Sequence, residues 1–105
     1  MTDDRIETLI RKAIGGDSVA IDRILAMADT CEHAVVIVMA ALVEHDDRGL
    51  VRARHVAVTS RDRQIVEVAT AHLHGDGGRV DALARDHLVD HPDSLIVAWI
   101  ASGGA

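Results

Sequence analysis

Four of the seven histidines in this 105-residue chain fall in one stretch, at His72, His74, His87 and His91. His87 and His91 are four apart and share a helix face. His72 and His74 come just before the turn that must face that helix. Three imidazoles within reach of one another can hold a catalytic zinc, so His72, His87 and His91 outline one reading, a small His-dependent metal-binding enzyme. Several features oppose it. His72 and His74 point in different directions on a helix, and no His-Glu-x-x-His pattern occurs. His91 falls in a last turn, where a cation suits the helix dipole. Asp86, Asp90 and Asp93 stand ready to pair with the imidazoles. The expectation is that these histidines are structural or solvated, with no catalytic residue, metal or cofactor.

Three other groupings are weaker. Arg48, Arg52 and His55 form a basic stripe at helical spacing, suited to an acidic partner or a phosphate. Asp46, Asp47 and Asp62 are placed to neutralise it, as on any solvated mixed-charge face. Cys31 near His33 has no third group to orient the imidazole, so a buried or idle thiol is expected. Gly75-x-Gly77-Gly78 follows a helical pattern and lacks the Lys and Ser/Thr of a phosphate loop.

Composition narrows the classes further. The formal net charge is −6, which repels a phosphate backbone and argues against nucleic-acid binding. A helix-turn-helix regulator would present Asp86, Asp90 and Asp93 to the DNA. Almost half the residues are apolar, yet Trp99 is the only aromatic, so Ala, Val, Ile and Leu must fill the core. Such small aliphatics favour close helix-on-helix packing. A single cysteine gives no internal disulfide, and the start Met1-Thr2-Asp3-Asp4-Arg5 has no signal-peptide pattern. The longest apolar run, Ala34 to Val43, is ten residues, against the roughly 20 that a membrane span needs. The expected location is cytoplasmic.

The elements that would position all these side chains follow from a three-fold echo. Gly16-Asp17, His45-Asp46 and Gly75-Asp76 lie 29 and 30 residues apart. Each pair ends one helical pattern and opens another. At the same offset after each stand Ala28, Ala57 and His87. A period near 30 predicts stacked helical hairpins. Asp4 with Glu7 caps a first helix, and Ile6, Leu9, Ile10 and Ile14 line it. Asp17 or Ser18 caps a second. A third runs from about Thr30 to Glu44. The fourth carries Leu50, Val51, Ala53, Val56 and Ala57. Thr59 or Ser60 caps the fifth, Gly75-Asp76-Gly77-Gly78 turns into the sixth, and Pro92-Asp93-Ser94 opens a seventh over Leu95–Ala101. The expected fold is all-α: about seven helices in a single degenerate helical-repeat domain over residues 1–105, as a short right-handed stack of hairpins. The competing reading is α/β, because Ala34–Val43, Arg54–Thr59, Gln64–Thr70 and Leu95–Ile100 are rich in β-branched residues.

The segment Gly75 to Ser94, GDGGRVDALARDHLVDHPDS, resembles the second half of a tetratricopeptide repeat. Gly75-Asp76 matches the inter-helix turn. Val80, Leu83, Ala84 and Leu88 match the inward positions, and Pro92-Asp93 the terminal proline with its polar follower. With Ser60 to Glu67, the stretch from Thr59 to about Ser102 is similar to the repeats of the tetratricopeptide repeat protein 38 family. The spacing here is shorter than the usual repeat of about 34 residues. Val68 and His87 stand where that pattern has small residues. The resemblance implies an interaction scaffold without catalysis. It also implies a concave face made by the first helix of each pair: Ile6 and Ile10, then Val35, Val36, Met39, Leu42 and Val43, then Ile65, Val66, Ala69 and His72. With no Asn, and with Lys12 off that face, a carboxylate clamp is not expected. The groove is apolar and suits a helix, unless so few units close on themselves and make it core.

The last helix, Leu95-Ile-Val-Ala-Trp-Ile-Ala101, is apolar all round and calls for burial on more than one side. Either it tucks back into the groove or a second copy covers it, with Trp99 as anchor. The sequence thus points to a protein–protein interaction module with an unknown protein partner and a possible homodimer. Its expected contact residues are Val35, Met39 and Leu42 in the groove, and Ile96, Trp99 and Ile100 on the last helix.

Overall fold

The computed structural model describes residues 4–105, the side chain of Asp4 excepted, so the proposed capping by that side chain lies outside the described residues. Seven helices follow in order: α1 Asp4–Ile14, α2 Ser18–Ala28, α3 Ala34–Glu44, α4 Arg48–Val56, α5 Ser60–Leu73, α6 Gly77–Asp90 and α7 Leu95–Ala101. No strand occurs among the described residues, so the fold is all-α and the α/β reading falls. The β-branched run Ala34–Val43 lies in α3, a helix with eight of its eleven residues buried. A helix apolar on every side has to be central, and α3 is. It starts at Ala34 rather than near Thr30, because residues 29–33 form the loop after α2.

The echo in the sequence is a repeated turn. Helices α1, α3 and α5 each close on a left-handed residue: Gly16 at φ 91°, His45 at 52° and Gly75 at 74°. The next residue is Asp each time, and its N–H reaches five residues back. Asp17 donates to the Lys12 carbonyl at 3.0 Å, Asp46 to Ala41 at 3.1 Å and Asp76 to Ala71 at 3.0 Å. This is the Schellman closure, which satisfies carbonyls that a helix end leaves open. The same Asp then serves the following helix. The Asp17 carboxylate accepts from the Val19 and Ala20 N–H groups, Asp46 from Arg48, and Asp76 from Arg79. One dipeptide therefore stops a helix and starts another. Helix α7 ends in the same way, with Gly103 at φ 82° and the Gly104 N–H on the Trp99 carbonyl at 3.0 Å.

The hairpins α1–α2, α3–α4 and α5–α6 pack in sequence, and α2, α4 and α6 each also touch the next odd-numbered helix. The odd-numbered helices touch in the order α1, α3, α5, α7, and α7 touches α1 again. They form a closed ring, with the even-numbered helices outside it. The Cα radius of gyration is 12.3 Å, against about 13 Å expected for a compact globule of this length. An open superhelical array would be larger. Ring closure puts the faces of the odd helices into one core that runs from Ile10 and Ala13 through Met39 and Ile65 to Val97 and Ile100. No helix among the described residues is long and apolar enough to cross a membrane.

Candidate functional site

The histidines do not assemble. His74 is exposed at the end of α5, with Nε2 3.1 Å from Asp47 Oδ2. His72 is half-buried. His87 is 1% exposed, and its Nδ1 lies 2.7 Å from Gln64 Oε1. That oxygen can only accept, so Nδ1 carries the proton and donates, leaving Nε2 as the acceptor. Among the described residues, Nε2 is buried without a hydrogen-bond partner, as is Ser94 Oγ. The ring packs on His91 at a centroid distance of 4.8 Å. Burial pushes the His87 pKa below its usual value. The His91 and Arg61 charges add to that shift, and Asp90 and Asp93 oppose it. Among the described residues no three His, Cys, Asp or Glu side chains converge to hold a metal ion, so His72, His87 and His91 do not form a ligand set. Cys31 is half-buried, and its Sγ faces the carbonyl of His33 rather than the imidazole.

The basic stripe also dissolves into local contacts. Arg48 binds the Asp46 carboxylate through Nε at 2.9 Å and Nη2 at 2.5 Å. Those hydrogen bonds hold the Asp46 carboxyl down at about 2. Arg52 turns away and donates to the carbonyls of Ala28 at 2.6 Å and Cys31 at 2.5 Å. It caps the C-terminal end of α2 with a cation, where orphan carbonyls and the dipole both favour one. Arg54 pairs with Glu67 at 3.2 Å, and Arg79 reaches the same carboxylate at 3.8 Å.

Of the six expected contact residues, Met39, Leu42, Ile96 and Ile100 lie in the core. Ring closure is the reason, because the concave face of the odd helices has turned into their shared interior. Trp99 is half-buried, and the chain's own tail passes over it. A Cβ built on Gly104 would fall inside van der Waals distance of the indole. Val35 is half-buried at the start of α3, and with Ile96 it lines the larger of the two best-formed surface clefts.

That cleft encloses about 760 Å³, where the N-terminal parts of α1, α3, α5 and α7 come together. Ile6, Ile10, Val35, Val56, Val58, Leu95 and Ile96 supply an aliphatic lining, and Glu7, Glu32, Asp62 and Asp93 stand among them with Arg61 and His33. Two large apolar side chains in the lining are left to solvent, Val58 at 80% and Leu95 at 40%. Val58 lies outside every helical pattern in the sequence, in the β-branched run Arg54–Thr59. One signal was present. Val58 precedes the cap residue Thr59 of α5, where an apolar side chain normally packs on the fourth helical residue. That residue is Arg63, so Val58 has no staple partner.

Comparison with protein-family models, with curated proteins and with solved structures finds no match to this chain.

Proposed function

We propose that this chain is a small protein–protein interaction module that receives a partner in the cleft at the starts of α1, α3, α5 and α7. The observation that carries this reading is the cleft of about 760 Å³, lined in equal measure by aliphatic and polar groups, with Val58 and Leu95 exposed in it. Large apolar side chains clustered around a concavity favour a partner that covers them. The repeated Schellman turn supports descent from a tetratricopeptide-like hairpin array, shortened and closed on itself. A cytoplasmic setting fits the lone half-buried cysteine.

The cleft differs from the groove that the tetratricopeptide resemblance suggests. It is lined mostly by helix starts and the loops before them, and shares only Ile6, Ile10 and Val35 with that groove. A homodimer through α7 has less support, because Ile96 and Ile100 are buried and the tail shields Trp99.

The test is selection of binders from a displayed random-peptide library, with the wild-type chain and a Val58→Asp, Leu95→Asp double variant as targets. Both sites are exposed, so the variant should keep its helical circular dichroism. Peptides enriched on the wild type and lost on the variant support the cleft. Absence of enrichment, or peptides that hold both proteins equally, refutes it.

A further inference from the structure

The cleft's charge points to the chemistry of its partner. Glu7, Glu32, Asp62 and Asp93 line it, against the single guanidinium of Arg61. Arg61 lies 3.6 Å from Asp62 and is partly spent on it. Glu7 and Glu32 are exposed, and neither makes an ion pair among the described residues. Acidic residues near helix starts often do no more than offset the helix dipole, so that contribution has to be counted. The N-termini of α1, α3 and α5 supply roughly half a positive charge each. Together with Arg61 they fall short of four carboxylates, and the rim stays negative. Negative charges spaced around aliphatic side chains complement a segment with the reverse pattern, basic side chains flanking an aliphatic anchor.

On the reading that this cleft is the interaction site, we propose that its occupant is a basic amphipathic segment of another protein. Leu, Ile or Val side chains of that segment enter between Val35, Val58 and Leu95. Its Lys or Arg side chains meet Glu7, Glu32 and Asp93. A second copy of this chain fits poorly, because an acidic protein of net charge −6 would bring like charge to the rim. An anionic tail or a phosphate is disfavoured for the same reason.

The test uses the full chain and two short fluorescent helical peptides with one apolar pattern, one of Leu and Lys and the other of Leu and Glu. The expected result is binding of the Leu/Lys peptide at least about tenfold tighter than the Leu/Glu peptide, weakening as salt rises. Amide shifts in an isotope-labelled sample should fall on residues 33–35, 58–62 and 93–96. A basic peptide can adhere to any acidic protein, so two charge reversals separate site from background. Glu32→Lys with Asp93→Lys should weaken the Leu/Lys peptide about tenfold, and Asp81→Lys with Asp86→Lys, exposed on α6, much less. Equal loss in both pairs overturns the proposal. Equal binding of both peptides at the cleft also overturns it while leaving the interaction reading intact. If neither peptide shifts the cleft residues, both fall. Concentration-dependent self-association that shifts the same amides would identify a second copy as the occupant and overturn the proposal.

Discussion

Replacing His45 by glycine should stabilise this protein, although it deletes a side chain. His45 occupies the left-handed region at φ 52°, as Gly16 and Gly75 do in the equivalent turns. An L-residue pays roughly 1–2 kcal/mol for that conformation. A glycine there recovers the penalty but gives back about 0.5–1 kcal/mol through the greater freedom of the unfolded chain. The side chain of His45 is exposed and makes no hydrogen bond among the described residues, so little else is lost. The net gain is about 0.5–1 kcal/mol. With an unfolding entropy near 2.1 cal/mol/K per residue, roughly 0.2 kcal/mol/K for this chain, the midpoint should rise about 2–5 °C. The reverse changes calibrate the argument. A Cβ at Gly16 or Gly75 would meet nothing within 4 Å. Gly16→Ala and Gly75→Ala therefore change only backbone terms, the left-handed penalty less the same unfolded-chain offset, a net cost of about 0.5–1 kcal/mol and roughly 2–5 °C. Urea melts monitored by circular dichroism should show shifted midpoints with unchanged m-values. If both alanine variants lose stability and His45→Gly gains none, the imidazole is making a contribution that this reasoning omits. If the alanine variants lose nothing, the turns are not left-handed and the account of the repeat fails.

Three further outcomes are expected. Arg52→Ala should cost about 1–3 kcal/mol in urea melts, because it uncaps the Ala28 and Cys31 carbonyls, whereas Arg48→Ala, whose side chain is 88% exposed, should leave the midpoint unchanged. Because burial lowers the His87 pKa in the folded state, the unfolded chain takes up the proton first. Stability should then be level above the ordinary imidazole value of about 6.5 and fall as the pH drops below it. The drop between pH 7.5 and pH 5 should shrink in His87→Ala, which restores the residue found at Ala28 and Ala57; an equal drop in both proteins refutes the assignment. Gly104→Ala should push the tail off the indole and move the emission of Trp99, the sole fluorophore of its kind, to longer wavelength, and an unchanged spectrum would show that the tail does not lie there.

Much of the fold was legible because it is local. The stops at Gly16 and Gly75, the caps at Asp17 or Ser18 and at Thr59 or Ser60, the turn Gly75-Asp76-Gly77-Gly78, and the bounds of α7 each depend on a few neighbouring residues. Helix α3 was ambiguous in pattern, since ten apolar residues carry no period, and only its burial on every side decides its place. The candidate site was far less legible. Val35 lines the cleft, as does Ile96 from its buried position, while Met39, Leu42 and Ile100, which the sequence leaves open as either groove surface or core, are interior. Val58, between two helices, carried no periodic signal at all. The equivalence of His87 to Ala28 and Ala57 was visible in the spacing, but its bond to Gln64, 23 residues away, was not.

By itself, then, the sequence favoured about seven helices over an α/β fold and determined the dipeptide that joins each hairpin, the aliphatic interior and the acidic surface. These follow from backbone preference, side-chain hydrogen bonding within a turn, and composition, all of which act at short range. The tertiary structure decided that α7 returns to α1. That one long-range contact turns a concave face into a core and gathers four helix starts around an acid-rimmed cleft. Whether a helical stack stays open or closes depends on small packing rotations summed over every hairpin, and no local stretch of sequence encodes that sum.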